Sequence, residues 1–421
     1  MRRALAFVAL ALVLALGLTS TARAQGGIEV RANSAQGDFP AGITFTLELA
    51  LDGDLEDVRL IYQIAPDGVR ATAEPSCTGD AVVSCRFQLA GSGRALLIPG
   101  AEVTYTWSIT AGGATLETDP QVVVYEDDRF DWRTVSDGNI TLWYYGDEGD
   151  ARAVLAAVRE SLDRVSALLQ TTVDFPVKVR YYESAEEMQQ AIISDNAEGV
   201  VTLGEVFYSD TAMVSADSAP QDIARHEIAH IVVRQALSGP FDVPDWLNEG
   251  LAVYAQSQPL PGQREAIEDA NRTGQVMSVR SLSSASAGAL GGRVFLYYGQ
   301  SWSLVNFLIE TYGEPKFADL FRAFDDGATT NEALEQVYGF NQDGLENAWR
   351  ASVGLPPRQA PTPGSDTIDE PTQPAPGNGD SASRDGDGGT SGALIAIIAV
   401  LTAVLVAAIV TTGALVARRY R

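Results

Sequence analysis

The chain contains two histidines, and both lie in the stretch HEIAH at residues 226–230. The residues around this stretch predict a helix, with Ser218 as its N-cap and Pro220 in its first turn. Residues four apart in a helix project from the same face, so both imidazoles can reach a single ion. Glu227 lies about 100° round the helix from His226, close enough to act on a water beside that ion without binding the ion. A structural pair of buried histidines is the alternative interpretation.

A metal bound at this helix needs a third protein ligand, and the sequence offers a carboxylate for that role. Zinc at a catalytic site takes three protein ligands and leaves its fourth position to water. The chain has no other histidine, and Cys77 and Cys85 fall in a different region. Glu249 lies in WLNEGLA at residues 246–252, early in a second expected helix that begins near Asp245. Glu249 is therefore the candidate that completes the set.

Together these two stretches resemble the gluzincin zinc peptidases. HEIAH, 18 intervening residues and Glu249 within WLNEGLA match the pattern shared in outline by thermolysin and the aminopeptidase N family. The arrangement looks most like the peptidase MA-like family of membrane-anchored bacterial proteins, over about residues 130–353. The resemblance implies that His226, His230 and Glu249 bind zinc. It also implies that Glu227 is the general base for a zinc-activated water that hydrolyses peptide bonds.

A further donor to the developing oxyanion is expected, and no histidine remains to supply it. The resemblance continues at YYGQSWSLVNFLIETYG, residues 297–313, where Tyr298 and Ser301 match a Tyr-x-x-Ser stretch of the family. Tyr298 is therefore the first choice for the donor. The other candidates are Tyr254, Tyr297 and Arg293. Each tyrosine has the alternative of being a core aromatic on an amphipathic helix.

The sequence departs from the family pattern at two places. Val253 stands where thermolysin-like enzymes have the aspartate that orients the first histidine, so the partner of His226 is not identified. The GAMEN-type loop that reads a free amino terminus in aminopeptidases is absent, which favours an endopeptidase. In gluzincins the substrate lies along an edge strand above the HExxH helix, and residues 212–215 are the candidate for that edge.

The regions on either side of residue 125 differ in their hydrophobic pattern. Short runs of period-two alternation between Gly, Pro and Asp turns predict that residues 25–125 form a β-sandwich of immunoglobulin or fibronectin-III type. Cys77 and Cys85 lie close together in this exported region, and a disulfide between them is expected. Residues 126–353 mix strands at 140–145 and 177–182 with helices at 148–170 and 184–194, followed by mostly helical sequence. This pattern predicts an α+β domain that carries the zinc site.

The two ends of the chain predict export and anchoring. Residues 1–24 combine two arginines at positions 2 and 3, a short apolar run and a small-residue cleavage pattern, which is typical of a secretory signal peptide. Residues 354–392 are rich in Pro, Gly, Ser and Asp and predict a disordered stalk. The uncharged residues 393–417 predict a transmembrane helix, and the arginines of the tail, residues 418–421, place that tail in the cytoplasm. A processed anchor signal is the alternative to a retained helix.

The net charge of −26 at pH 7 makes nucleic acid a poor candidate partner, because an acidic surface repels phosphate. The expected partners are a peptide or protein substrate and the cell membrane through one helix. The resulting prediction is a membrane-anchored, extracellular zinc peptidase. A surface adhesion or sensor protein with an inactive or structural zinc domain is the competing hypothesis, and the presence of Glu227 favours the enzyme. The sequence does not determine the oligomeric state.

Overall fold

The computed structural model describes residues 24–358 apart from 26, 67, 69, 92–96, 193–202, 239–241 and 284–290. The described residues divide into two compact units. The first contains the described residues up to Asp131 together with residues 190–192, and the second contains the rest, starting at Trp132. The predicted membrane helix and cytoplasmic tail, nearly all of the predicted signal peptide, and the stalk beyond residue 358 lie outside these residues. Within the described ranges, none of the helices combines the length and the apolar character that crossing a bilayer requires.

The first unit is built from β-strands. They are β1 Ala24–Gln25, β2 Ile28–Asp38, β3 Gly42–Leu51, β4 Leu55–Ala65, β5 Ala71–Ala73, β6 Ser76–Thr78, β7 Val82–Ala90, β8 Ala101–Ala111, β9 Ala114–Glu117 and β10 Gln121–Tyr125. One antiparallel sheet has the order β1-β2-β3-β7-β6, and the second has the order β10-β8-β4-β5 with β9 paired to β8. Strands β3, β4, β7 and β8 contain the alternating runs at residues 43–49, 58–64, 82–89 and 103–109, because period-two burial gives each sheet one apolar face.

The two sheets of the first unit face each other across an aromatic core. Phe45 on β3 contacts Tyr105 on β8 edge to face, with 4.9 Å between ring centroids. Trp107 on β8 donates its indole N–H to Asn33 on β2 at 3.0 Å. Both contacts join one sheet to the other, so the alternating apolar residues of the two sheets share a single core.

The predicted disulfide is present. Cys77 on β6 and Cys85 on β7 are bonded and stand directly opposite each other in the antiparallel ladder. Directly opposed residues bring their Cβ atoms close together, which places the two thiols within bonding distance.

The boundary between the units falls six residues later than the boundary predicted at 125. The linker residues fold onto the first unit through local contacts. Asp127 is fully buried and accepts from the guanidinium of Arg129, and that guanidinium also lies 4.7 Å from the ring centre of Phe39. These contacts explain why residues 126–131 stay with the β-rich unit.

The second unit combines a five-stranded sheet with helices. Its strands are β11 Arg133–Asp137, β12 Ile140–Tyr144, β13 Val177–Tyr182, β14 Gly204–Phe207 and β15 Thr211–Ser215. Its helices are α1 Glu148–Leu169, α2 Ala185–Ala191, α3 Pro220–Gln235, α4 Asp245–Ala255, α5 Pro261–Thr273, α6 Val279–Leu282, α7 Val294–Tyr312, α8 Glu314–Asp325, α9 Thr330–Tyr338 and α10 Gln342–Ser352, with a 3₁₀ turn at Gly291–Arg293 before α7. A β-rich region followed by an α+β domain confirms the predicted fold class at this level.

The sheet of the second unit has the order β11-β12-β13-β15-β14. Strands β12, β13 and β15 run parallel, and the outer strands pair antiparallel to them. The prediction that residues 212–215 form the edge is wrong, because β14 folds back on β15 and takes the outer position. All five residues of β15 are buried, as expected of an inner strand.

Helix α3 begins one residue later than predicted. Ala219 is its N-cap in a left-handed conformation, and no side chain caps the helix, so the prediction of Ser218 as the cap is wrong. Pro220 occupies the first helical position, where its missing N–H has no intrahelical partner to lose.

The C-terminal end of the fold extends into the segment predicted as stalk. The guanidinium of Arg350 donates to the carbonyl of Pro356 at 2.7 Å, and Arg358 is paired with the buried carboxylate of Glu346. Residues 354–358 therefore pack on α10 before the described chain ends.

Candidate metal centre

Helices α3 and α4 bring two histidines and a glutamate together. His226 and His230 lie one turn apart on α3, with 4.9 Å between their ring centroids. Glu249 approaches from the second turn of α4, and its Oε2 lies 3.3 Å from Nε2 of His226 and 3.6 Å from Nε2 of His230. The three candidate ligand atoms all fall within 4.8 Å of one another. The predicted helix pair therefore places the three side chains in one cluster.

The facing atoms of this cluster are buried and have no hydrogen-bond partner. This holds for Nε2 of His226, Nε2 of His230 and Oε2 of Glu249. Ligands at tetrahedral corners around zinc are separated by about 3.3 Å, which is close to the two distances from Glu249 to the histidines. Two imidazoles and a carboxylate are also donors that zinc accepts. The residues present therefore fit a zinc ion.

The other ring nitrogen of each histidine has a partner on α4 or directly after it. Nδ1 of His230 lies 2.9 Å from Oδ1 of Asn248. Nδ1 of His226 lies 3.4 Å from the side-chain amide of Gln256, which is the residue that ends α4. Each imidazole is thus oriented from behind, with its Nε2 directed into the cluster.

Burial sets the protonation of the cluster. It lowers the pKa of His230, which favours the neutral imidazole that a metal requires. Burial alone would raise the pKa of Glu249, but the interactions with His230 and His226 outweigh it and lower that pKa. Burial thus favours the neutral form of His230, and the neighbouring histidines favour the ionised form of Glu249.

Glu227 lies next to the cluster and is fully buried, and neither of its carboxylate oxygens has a hydrogen-bond partner. Burial raises its pKa well above the usual value, and the charges of Glu249 and Glu205 raise it further. A raised pKa makes this carboxylate a stronger base than an ordinary glutamate, as proton transfer to and from it requires.

The edge strand β14 passes directly against Glu227. A Cβ atom placed on Gly204 would lie 2.8 Å from Oε1 of Glu227 and 2.5 Å from Cγ2 of Ile223. Only a residue without a side chain allows the strand to approach the helix this closely. The backbone of the sheet edge and the candidate base therefore lie side by side.

Helix α7 approaches the cluster because α4 has a glycine at the contact. A Cβ on Gly250 would lie 2.3 Å from the carbonyl oxygen of Ser301, so glycine is required for the close packing of α4 and α7. This packing places the ring of Tyr298 6.1 Å from the ring of His226. Tyr297 packs against Tyr298. Burial raises the pKa of both phenols, and the charge of Glu249 raises it further.

The remaining two candidates lie elsewhere. The ring of Tyr254 is 5.9 Å from the guanidinium of Arg164 on α1, and its pKa is raised by burial and modified by Arg164, Glu314 and Glu310 rather than by the cluster. Arg293 is exposed in the turn before α7. The structure therefore brings Tyr297 and Tyr298 to the cluster, and neither Tyr254 nor Arg293.

Sequence reasoning missed three residues of this site. Gln256 follows Glu249 by seven positions, a spacing that returns to the same helix face and could have identified it. Asn248 stands inside WLNEGLA but gave no signal of its own. Glu205 belongs to a four-residue strand that the alternation did not predict, so nothing in the sequence linked it to Glu227.

Residues 157–354 match the family model of the Peptidase MA superfamily. This segment contains α3, α4 and α7, and with them the cluster, Glu227 and Tyr298. The comparison with curated proteins gives no match.

Several solved structures show a distant likeness to the chain. Yeast LTA4 hydrolase in complex with bestatin shares 11% identity over 80% of this chain and 66% of its own, with a TM-score of 0.34. Native yeast LTA4 hydrolase shares 12% identity over 77% of this chain and 66% of its own, with a TM-score of 0.32. A family 56 carbohydrate-binding module, described as a β-1,3-glucan binding domain, shares 18% identity over 22% of this chain and 95% of its own, with a TM-score of 0.16. TM-scores this low carry no argument, whereas the family match over residues 157–354 supports a function of the zinc-peptidase type for the second unit.

Proposed function

We propose that the second unit is a zinc-dependent peptidase. The observation that carries this proposal is the convergence of three buried, unpartnered ligand atoms from His226, His230 and Glu249 beside a fourth buried side chain, Glu227. Leaving such groups without partners in a core costs about 1–3 kcal/mol each, so a fold that retains them has a use for them.

In the proposed site His226, His230 and Glu249 hold the metal. Zinc, when bound there, supplies a Lewis acid that polarises a carbonyl and makes water more acidic. Glu227 lies within the same buried space and accepts the proton of the water that attacks the peptide carbonyl. The raised pKa of Glu227 then allows it to pass that proton to the leaving amine.

We assign Tyr298 as the donor that stabilises the developing oxyanion. Its ring is held beside His226 by the close packing of α4 against α7. Because burial keeps its pKa well above the ordinary value, the phenol stays protonated and can donate a hydrogen bond.

The substrate backbone is proposed to lie along β14, the edge strand. This strand is the outermost of the described strands in its sheet, and it passes against Glu227 at Gly204. An extended peptide that pairs with such an edge is fixed by main-chain hydrogen bonds, without requiring a free amino terminus. We therefore favour an endopeptidase over an aminopeptidase.

The roles of the ligands and the base are tested together. His226→Ala should lose bound zinc, measured by elemental analysis, because it removes one of three protein ligands. Glu227→Gln should keep zinc and lose on the order of 10²–10⁴-fold in the hydrolysis of a peptide library, since it removes general-base catalysis. A Glu227→Gln variant as active as the parent would contradict the mechanism and favour an adhesion or sensor protein with a structural metal.

We also propose the extracellular, membrane-anchored placement and the immunoglobulin-type sandwich that the sequence predicts. The Cys77–Cys85 disulfide supports export, because such bonds persist in oxidising compartments. The orders β2-β3-β7-β6 and β10-β8-β4-β5 correspond to the two sheets of an immunoglobulin-type fold. Protease added to intact cells should release nearly the whole protein by cutting the stalk, and protection of the β-rich unit would contradict this orientation.

A further inference from the structure

Gln256 lies at the back of His226, on the side away from the cluster. Its side chain is 2% exposed, and its amide nitrogen is 3.4 Å from Nδ1 of His226. Its amide oxygen is buried and has no hydrogen-bond partner. Buried amide oxygens normally accept a hydrogen bond, so an amide oxygen without a partner beside a ring nitrogen requires a structural reason.

The chemistry of a ligating histidine decides which end of the amide must face it. If Nε2 of His226 binds the metal with its lone pair, the proton of the neutral ring resides on Nδ1, which is then a donor and needs an acceptor. His230 already shows this arrangement, because its Nδ1 faces the amide oxygen of Asn248 at 2.9 Å. The two ends of a glutamine amide are nearly equal in size, and rotation about the last side-chain bond exchanges them.

We propose that Gln256 is a positioning residue for the first metal ligand, with its amide oxygen accepting a hydrogen bond from Nδ1–H of His226. The inference rests on the proposed function, since it concerns a histidine that binds zinc. Gln256 then orients the first histidine, as an aspartate does in thermolysin-like sequences. At the position of that aspartate this chain has the fully buried Val253.

The backbone around Gln256 is fixed from two sides. The guanidinium of Arg164 on α1 donates to the carbonyls of Tyr254 and Gln256, at 2.9 and 3.5 Å, and to that of Ala255. The backbone N–H and hydroxyl of Ser257 donate to the carboxylate of Asp222, at 2.9 and 3.0 Å.

Asp222 lies one turn before His226 on α3. The segment that carries Gln256 is therefore tied to the same helix that carries the ligand it orients. A residue held this way can fix the orientation of an imidazole rather than merely fill space.

The test is the zinc affinity of the full chain, measured by competition with a chelator of known affinity. Gln256→Met keeps most of the volume and removes the acceptor, and it should weaken zinc binding by about 10–100-fold. Gln256→Glu keeps an acceptor and removes the donor, so it should retain or raise the affinity. Gln300→Met is the matched control. Gln300 is also fully buried, but its amide bonds the backbone of Met277, so this variant should lose stability without losing zinc affinity.

A second readout follows the bond itself. In the zinc-loaded protein the Nδ1–H proton of His226 should give a protected imidazole resonance by NMR, present in the parent and in Gln256→Glu and lost or shifted in Gln256→Met. If Gln256→Met does not fold, Gln256→Glu decides the matter, because a bond in which the amide nitrogen donates to a bare Nδ1 would be lost in that variant and the affinity would fall.

The outcomes separate the two proposals. Zinc affinity that falls equally in Gln256→Glu and Gln256→Met, or that changes by less than about twofold in both, overturns the positioning role while leaving the peptidase proposal in place. A parent chain that binds no zinc overturns the proposed function itself.

Discussion

In the first unit the buried side chains are apolar or aromatic apart from Asp127, which is paired with Arg129, whereas the second unit buries several ionisable groups. The polar atoms of the first core are paired, as in Trp107 with Asn33 and Tyr105 with Gln121. Among the described residues, the buried side-chain polar atoms that lack a hydrogen-bond partner all lie in the second unit, and several belong to His226, Glu227 and Glu249.

This difference teaches where function is located. A satisfied core is explained by stability alone, because burial of apolar area is its driving force. A core that leaves several charged or polar groups without partners forgoes stability at those positions, and this is expected where a ligand or a reaction requires the groups. The contrast directs attention to α3 and α4 without reference to any motif.

The largest expected effect separates stability from function in the first unit. Phe45 is fully buried and contacts Tyr105 and Tyr62, so Phe45→Ala should destabilise that unit by about 3–5 kcal/mol through lost packing. Denaturant unfolding should report this loss. Because the three candidate ligands all lie in the second unit, the zinc affinity of the folded chain should be unchanged. A parallel loss of zinc would break the comparison.

Two matched tyrosines sharpen the comparison. Tyr298→Phe should lower kcat about a hundredfold, or about 3 kcal/mol in transition-state stabilisation, with little change in KM, since the proposed hydrogen bond forms in the transition state. Tyr105→Phe removes a hydroxyl bonded to Gln121 and should lower stability by about 1 kcal/mol without changing kcat. Steady-state kinetics and thermal melting distinguish these outcomes, and near-parental kcat in Tyr298→Phe would remove the assignment.

Much of this architecture could be predicted from the sequence because its signals are local. Period-two alternation in the first unit predicts the strands, and the i to i+4 spacing of His226 and His230 predicts their shared helix face. Glu249 could be placed because its helix begins only ten residues after the end of α3. These inferences need only the geometry of one or two elements.

What could not be predicted depends on contacts between distant parts of the chain. The edge position of β14 is decided by how it pairs with β15, and that pairing has no sequence signature in a strand of four residues. The approach of Gly204 to Glu227 and of Gly250 to Ser301 appears only when the elements are assembled. The position of Glu205 beside the candidate base belongs to the same category.

The last prediction tests whether Glu205, the neighbour of Glu227, is also buried at a cost in stability. Burial raises the pKa of Glu205 to about 7, from an ordinary value of 4.5. Between these two values the folded state holds a proton that the unfolded state has released, so the stability contributed by Glu205 is fully present below about pH 4.5 and is lost as pH rises towards 7.

Glu205→Gln removes this loss. After allowing for partial exposure, it should make the protein more stable than the parent by on the order of 2 kcal/mol at pH 8, with a difference near zero at pH 4.5. Denaturant unfolding of parent and variant at both pH values measures the change, and the subtraction cancels the titrating groups that do not interact with Glu205. The control is Glu48→Gln, an exposed carboxylate on β3 of the first unit, whose effect should stay within about 0.5 kcal/mol at both pH values. Equal effects of the two variants on the free energy of unfolding would show that burial of Glu205 does not destabilise the protein. The destabilising buried groups of the second unit would then be only the metal cluster and Glu227.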